Sequence, residues 1–498
     1  MKKGGTSAGL TLILSFMVLF SPFSVQADGC SDGPGTSTNP PALTTEIQNA
    51  LSCFADHDNQ TVYDLAPDSD KPDRVWDISG QFTLAGVYNI SHESPDPGAT
   101  DYRGFSRLRP ELDLTWAAKI SDNWRCRIGG KAFRDFIYTL RGYHKYTDQV
   151  VAEYESEVEL TEAYVEGTLL PALDIKLGRQ ILVWGNTENF RITDILNPVD
   201  NRDPGMVDIE DLRLPVGMAK LSYYTGDYSL AVMAVPEIRF DKQPVPGNDF
   251  YPFDQPLPPE DKPDGGLGNT EVAMSLKGIF PGWDMTLYGA YFFNDESYLK
   301  TVGARNVVIG QAPLPDGALA PIVVQMPIYE QRHARLAMTG CAINAALGSW
   351  LLKTELAFTD GLQFNTTSDK KTRVKGLAGF EYSGLTDTLI VVELVQTHLF
   401  GYHKDMGMAP DYADENQFEA AFRISRDLLH DRLELMLLVI ARGSKAQDGA
   451  FERLTAEYEL SDALSVKAGC VFYQDGDDFL YDNIHDNNRL FVNLQYTF

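Results

Sequence analysis

From about residue 75 to the last residue, apolar and polar side chains alternate. Between Val75 and Ile90, Trp76, Ile78, Phe82, Leu84, Tyr88 and Ile90 are apolar, and Asp77, Ser79, Gln81, Thr83 and Asn89 fall between them. The next segment repeats the pattern. Leu108, Leu112, Leu114, Trp116 and Ile120 share one parity, and Arg107, Arg109, Glu111, Asp113, Thr115 and Lys119 share the other. A period of two means a strand with one apolar and one polar face.

The same reading gives eighteen strands, at roughly 75–90, 105–120, 124–138, 156–169, 172–184, 216–225, 228–236, 270–279, 284–293, 330–346, 349–359, 373–383, 387–399, 416–426, 431–442, 450–460, 463–473 and 489–498. Their connections fall into two sets. One is tight, as at Ser121-Asp122-Asn123, Thr225-Gly226-Asp227, Pro281-Gly282-Trp283, Gly384-Leu385-Thr386 and Ser461-Asp462-Ala463. The other is long and polar: 91–104, 139–155, 185–215, 237–269, 294–329, 360–372, 400–415 and 474–488. Short and long take turns along the chain. A soluble β-sandwich shares the strand alternation but gives no reason for this. A transmembrane antiparallel β-barrel does, because alternate connections face the periplasm and the outside. Faces such as Val374, Gly376, Ala378, Phe380 and Tyr382 suit lipid, and aromatic residues gather near strand ends. The final segment alternates to Phe498.

Ahead of the barrel (71–498), Lys2 and Lys3, an apolar run from Gly9 to Phe20, and Val25-Gln26-Ala27 read as a signal peptide over 1–27. Residues 28–70 read as a short periplasmic segment, with a helix expected over Leu43 to Ala55 and a disulfide between Cys30 and Cys53.

Composition narrows the function. Forty-two basic against 70 acidic side chains give a net charge of −28, which excludes a sequence-independent nucleic-acid binder. After the signal segment no apolar run approaches the ~20 residues of a membrane helix. Neither the cysteine nor the histidine spacing suits a metal, and no cofactor is implied. The eight histidines (His57, His92, His144, His333, His398, His403, His430 and His485) lie mostly in loops or at strand ends, without a catalytic Ser-His-acid spacing. The sequence does not read as an enzyme.

One stretch is distinctive: Glu162-Ala163-Tyr164-Val165, then Leu177-Gly178-Arg179-Gln180-Ile181-Leu182-Val183-Trp184-Gly185, then Asp194-Ile195-Leu196-Asn197-Pro198-Val199-Asp200. It resembles an outer-membrane family catalogued as domain of unknown function thirteen-zero-two, within the porin-like barrels. The resemblance implies a bacterial outer-membrane location. Genes of that family often neighbour resistance-nodulation-division exporters, which implies lipid or another hydrophobic cargo. The terminal Phe498 resembles the signal read by the barrel-assembly machinery, so that machinery, outer-membrane lipid and lipopolysaccharide are the expected partners. On the residues alone, Gly178 lets a loop pack and Arg179 binds a carboxylate.

Polar-face cations on the second and third strands, Arg107, Arg109, Arg125, Arg127 and Lys131, should form a ladder on one side of the lumen. The connection 185–215 carries Asp194, Asp200, Asp203, Asp208, Glu210 and Asp211. In porins the loop at this position folds inward. The resemblance therefore suggests an eyelet in which Asp203, Asp208, Glu210 and Asp211 face the cations. The alternative is that the cations pair with Glu111, Asp113, Glu162 and Glu166 along the wall. The Pro-rich stretch 237–269 reads first as a stiff surface loop and second as a lid. The expected function is passive passage of small solutes. The alternative is a barrel that serves an exporter of hydrophobic cargo.

Overall fold

The computed structural model describes residues 75–95, 98–253, 255–313 and 319–498. The expected signal peptide, the helix over Leu43 to Ala55 and the Cys30–Cys53 pair lie outside the described residues.

Among the described residues nineteen strands form one sheet. They are β1 (Trp76–Asn89), β2 (Gly104–Ser121), β3 (Trp124–Arg134), β4 (Ser156–Leu170), β5 (Leu173–Gln180), β6 (Val216–Thr225), β7 (Tyr228–Val235), β8 (Glu260–Asp261), β9 (Glu271–Phe280), β10 (Trp283–Pro313), β11 (Leu319–Leu347), β12 (Trp350–Leu362), β13 (Lys371–Leu385), β14 (Thr388–Phe400), β15 (Asn416–Leu428), β16 (Leu433–Arg442), β17 (Gly449–Ser461), β18 (Leu464–Gln474) and β19 (Arg489–Thr497). β8 is a two-residue strand inside a connection, pairing in parallel with Gln331 and Arg332. The other eighteen pair antiparallel in chain order, β7 directly with β9, and β19 returns to β1. Gly80 and Phe498 exchange both backbone hydrogen bonds at 2.9 Å, so the seam is paired to its end. Closure leaves no wall edge to donate into hydrocarbon.

The outside is apolar. Phe82, Leu84, Leu114, Leu221, Met274, Leu287, Leu356, Leu394 and Leu494 are all exposed. Trp76, Trp116, Tyr223, Tyr228, Trp283, Trp350 and Tyr496 ring the end with the short turns, and Tyr88, Phe105, Tyr291 and Phe400 ring the other. These are the interfacial girdles of a membrane barrel. No helix among the described residues is long and apolar enough to cross a membrane.

Three boundaries differ from the sequence reading. The third strand stops at Arg134, not 138, because the Asp135 carboxylate accepts from Ile137 N–H at 3.1 Å and a short helix follows over Ile137–Arg141. The fifth strand stops at Gln180, not 184, because the next free backbone donor, Leu182 N–H, is taken at 2.9 Å by the Asn197 carboxamide oxygen. The expected loop 294–329 is largely strand. β10 and β11 continue as a ribbon far beyond the rim, paired up to Pro313 and Leu319. Runs such as Val307-Val308-Ile309 and Ile322-Val323-Val324 supply the β-branched residues that favour it.

The longer connections are labelled L1 to L9 in chain order. L2 is 135–155, L3 is 181–215, L4 is 236–270, and L9 is 475–488. Cysteines placed at Leu267 in L4 or Val308 on the ribbon should react with a membrane-impermeant maleimide on whole cells. Cysteines at Gly226 or Gly282, in the short turns, should react only after the outer membrane is permeabilised. The opposite pattern would invert the topology.

Candidate functional site

The inner face of the wall is not uniform. Over β6–β15 it is apolar towards the loop end: Met218, Met233, Val235, Phe292, Leu336, Met338, Leu377, Val395 and Leu399 point inward and are buried. L3 covers them with Leu182, Trp184, Phe190, Ile192 and Leu196. Trp184 meets Tyr288 edge to face at 5.0 Å between centroids. L3 therefore folds into the barrel and forms a hydrophobic core with half of the wall.

The neck of L3 is built by the distinctive sequence stretch. Gly178 has φ +128°, and a Cβ there would lie 2.1 Å from the Ala163 carbonyl oxygen. Only glycine fits that approach. Arg179 donates to Leu160 O at 2.9 Å and pairs with Glu237 of L4. Asn197, fully buried, accepts from Leu182 N–H and donates to Leu214 O at 2.9 Å and Gln180 O at 3.3 Å. One carboxamide thus ties together the two ends of L3. Leu214 N–H donates to Pro198 O at 2.7 Å, and Asp194 accepts from Arg213 at 2.8 Å. Gly185 passes Glu355 so closely that a Cβ would meet its carboxylate at 3.3 Å. Asp200 accepts from Arg202, which reaches Glu157 of β4 at 2.7 Å.

The far end of L3 is latched by carboxylates from across the barrel. Glu355 of β12, 2% exposed, accepts from the N–H groups of Asn186 and Thr193 and from the Thr193 hydroxyl at 2.9 Å. Glu393 of β14, 0% exposed, accepts from Glu188 N–H at 2.9 Å, Asn189 N–H at 3.0 Å and the Asn189 carboxamide at 3.1 Å. Lys353 and Arg423 hold Glu188 at 3.0 and 3.3 Å. A buried carboxylate is costly unless its oxygens are used in this way.

L4 crosses too, which corrects the first reading of it as a surface loop. Lys242 pairs with Glu157 and Glu159, Arg239 with Glu159 at 2.5 Å, and Asp241 accepts from Val199 N–H at 2.7 Å. Phe250 is fully buried among Val87, Val471, Tyr473, Ile484 and Phe491, on the inner face of β1, β18 and β19 and in L9. Those strands lie on the far side of the barrel from β7 and β9. Beside it Asp249 binds Arg489 at 3.0 Å. Proline stiffness here serves a strut.

The cationic ladder points inward, but most of it is paired along the wall. Arg125 pairs with Glu166, Arg127 with Glu162 at 2.6 Å, and Lys131 with Glu111 at 2.9 Å. Arg107 reaches L3, meeting Asp203 at 2.6 Å. Arg109 stacks 4.1 Å over Phe133 with its Nε 3.8 Å from Asp135 and without a hydrogen bond. Asp208 crosses instead to Arg453 of β17. Glu210 and Asp211 lie in the one-turn helix α1 (Ile209–Leu212), where burial, then Asp208, pushes the Asp211 carboxyl up. Burial also acts on Asp203, but Arg107, Arg109 and Arg489 outweigh it and hold that carboxyl at about 2. Towards the periplasm charged side chains line the inner face all round, among them Lys176 and Lys220, Lys353 and Glu381, Arg423 and Glu434, and Glu457 and Lys467. No group of three or more metal-ligating side chains occurs among the described residues.

The sequence reading missed the latches Glu355 and Glu393 and the anchors Arg453, Arg489 and Asp249. It also gave the apolar residues to the lipid face alone. A signal was present: Leu230 to Val235 and Leu389 to Val392 are apolar on both parities, as in a strand buried on both faces.

The model of the family described as "Protein of unknown function (DUF1302)" matches residues 98–498. The chain belongs to this family. No curated protein matches it. Among solved structures it is similar to OccAB1 of Acinetobacter baumannii, at 10% identity over 85% of this chain and 96% of that one, with a TM-score of 0.48. It is similar to the outer membrane protein opdK of Pseudomonas aeruginosa, at 10% identity over 85% and 99%, with a TM-score of 0.46. OccK2 (OpdF) of Pseudomonas aeruginosa, solved with glucuronate, matches at 11% over 85% and 97%, with a TM-score of 0.46. This DUF1302 barrel, with its closed sheet and lipid-facing exterior, is a protein of the bacterial outer membrane.

Asn197→Ala should leave buried Leu182 N–H and Leu214 O without partners. At ~1–3 kcal/mol per orphaned group, the temperature at which the folded band is lost on a gel should fall by several degrees. Unchanged heat stability would remove Asn197 from the neck. Asp241 gives a pH prediction. Burial, opposed by the Val199 N–H, pushes its carboxyl up to about 6. A raised folded value makes its contribution complete below the unfolded value near ~3.9 and lost as pH rises through about 6. Asp241→Asn, which keeps the acceptor, should therefore reduce the difference in L4 proteolysis between pH 5 and 7.5.

Proposed function

We propose that this protein is an outer-membrane channel for small, mainly charged or polar solutes, whose selectivity is set by a fixed constriction formed by L3 and L4. The observation that carries this reading is the crossing of the lumen by both loops. L3 is held at Glu355, Glu393 and Arg453, and L4 at Arg489 and the Phe250 pocket. Below them charged side chains such as Lys176, Lys220, Glu381, Glu434 and Lys467 line the lumen. That is an inner surface for water and ions, and opposed charges in a confined lumen sort solutes by charge. Arg109 is the rung of the ladder with the weakest hold on a partner.

A second reading is favoured by the apolar inner face over β6–β15. If L3 left its place, Met218, Met233, Leu336 and Met338 would offer half a barrel of apolar surface to a lipid or another hydrophobe passed to or from an exporter.

Planar-bilayer recording separates the two. Under the channel reading the purified protein gives steps of small conductance, and removing residues 244–258 raises it severalfold. Arg109→Gln removes positive charge, so anion permeability falls and the reversal potential in a salt gradient moves towards the cation value. The shift should shrink at high salt, as the Debye length drops from ~10 Å at 0.1 M to ~3 Å at 1 M. A silent bilayer with both the parent and the L4-deleted chain would sink the channel reading in favour of the hydrophobe carrier.

A further inference from the structure

Four aromatic rings form a row at the loop end of the barrel, and three different connections supply them. Tyr251 and Phe253 belong to L4, just past the Phe250 anchor, with ring centroids 5.5 Å apart. Phe253 meets Phe479 of L9 at 5.1 Å. Phe479 opens the short helix Phe479–Ile484. On it lies Tyr412 of L7 (401–415), 5.1 Å away and within 18° of parallel. The row ends there in the open, because Tyr412 is 51% exposed. One face of its ring rests on Phe479, so the other meets solvent.

A clamp between loops accounts for the first three rings. It does not account for the last. Tyr412 has φ +45°, in the left-handed region where a Cβ is crowded and which glycine or asparagine enters more easily. A side chain held at that cost, with half of itself in water, gains little from packing. Backbone strain of this kind gathers where ligands are held.

The charge around the stack is one-sided. Asp414 stands two residues after Tyr412, and Asp478 directly precedes Phe479. Burial, then Asp478 and Asp448 of L8 (443–448), push the Asp414 carboxyl up, against Arg442. That arginine is already shared between Asp478 at 2.7 Å and Glu419 at 3.3 Å. The carboxylates beside the open ring therefore outnumber the cation that serves them. An aromatic face attracts a positive charge through its quadrupole. Small inorganic ions hold their water too tightly to use it. A quaternary ammonium, with its charge spread over methyl groups, does not.

We propose that the Tyr412–Phe479 stack, with Asp414 beside it, is a binding site at the outer mouth for the quaternary ammonium head of an organic cation. The open face of Tyr412 takes the methyl groups, and Asp414 supplies the counter-charge. The site lies on the outer loops and is independent of what the lumen conducts.

Saturation-transfer NMR on the full chain in maltoside micelles tests it, with choline as the probe and 3,3-dimethylbutan-1-ol as its uncharged twin. Empty micelles set the background. Transfer from the protein to the choline methyl protons should be present with the parent chain and fall severalfold in Tyr412→Gly, which removes the ring and suits the left-handed backbone. Tyr412→Phe keeps the ring face and should keep the transfer. Asp414→Asn leaves all four rings in place and should weaken choline binding severalfold at low salt, while the uncharged twin is little affected. No transfer with the parent, or equal transfer with the parent and Tyr412→Gly, overturns the site. So does an Asp414→Asn chain that binds choline as the parent does, or a twin bound as tightly as choline, since either reduces the row to an apolar clamp. Binding is read directly, so a silent bilayer does not bear on this result, and a chain that ignores choline does not bear on conductance.

Discussion

Inside hydrocarbon no water is present to satisfy a peptide group, so each backbone N–H and C=O of the wall must find another strand. Everything else here follows from that closure. It forces a period of two, and with it a division between residues that meet lipid and residues that meet the lumen. The lipid face has one solution, apolar with aromatic ends, and the chain uses it from Trp76 to Phe498. The lumen face is under no such demand. Its chemistry carries the information that distinguishes this barrel from another.

That freedom is used in two ways. On β2–β5 the inward residues are largely charged, and they pair with neighbours one strand away, as Arg127 does with Glu162; β17 and β18 add pairs such as Glu457 with Lys467. On β6–β15 the inward residues nearer the loops are apolar and bury a loop. A wall apolar on both faces would be open to collapse or to stray lipid if nothing covered it. L3 supplies the cover, and the neck at Gly178 and Asn197 sets its direction.

The wall was legible in the sequence because its physics is local. Each of the eighteen segments declares itself by parity alone, and turns such as Thr225-Gly226-Asp227 mark the reversals. The lumen was less legible because its contacts are distant in sequence. Glu393 serves Glu188 and Asn189 about two hundred residues away, and Arg453 serves Asp208 at a greater separation. Nothing beside Glu393 in the chain, within Val391-Val392-Glu393-Leu394-Val395, distinguishes a latch from a solvated wall charge. The lone acid in an apolar run was the available hint. Proline content misled for L4, because stiffness suits a strut across a barrel as well as a loop over its surface. Phe250, between Asp249 and Tyr251, gave no periodic signal that it is an anchor.

The manner in which the loops are held bears on how such a barrel works. A swinging gate needs anchors that exchange cheaply with water. Here Glu355 and Glu393 are almost without solvent and each accepts three donors from L3. Releasing the loop would leave two carboxylates facing apolar neighbours, and removing one partner from a buried charge costs about 3–5 kcal/mol. L4 is bound to L3 through Asp241 and Val199 and to the opposite wall through Asp249 and Arg489, so neither loop can leave without straining the other. The constriction is therefore part of the fold. If the barrel is the channel proposed above, it sorts solutes by a standing geometry and a standing field rather than by opening, and Arg109, the cation of the ladder with the weakest partner, contributes to that field.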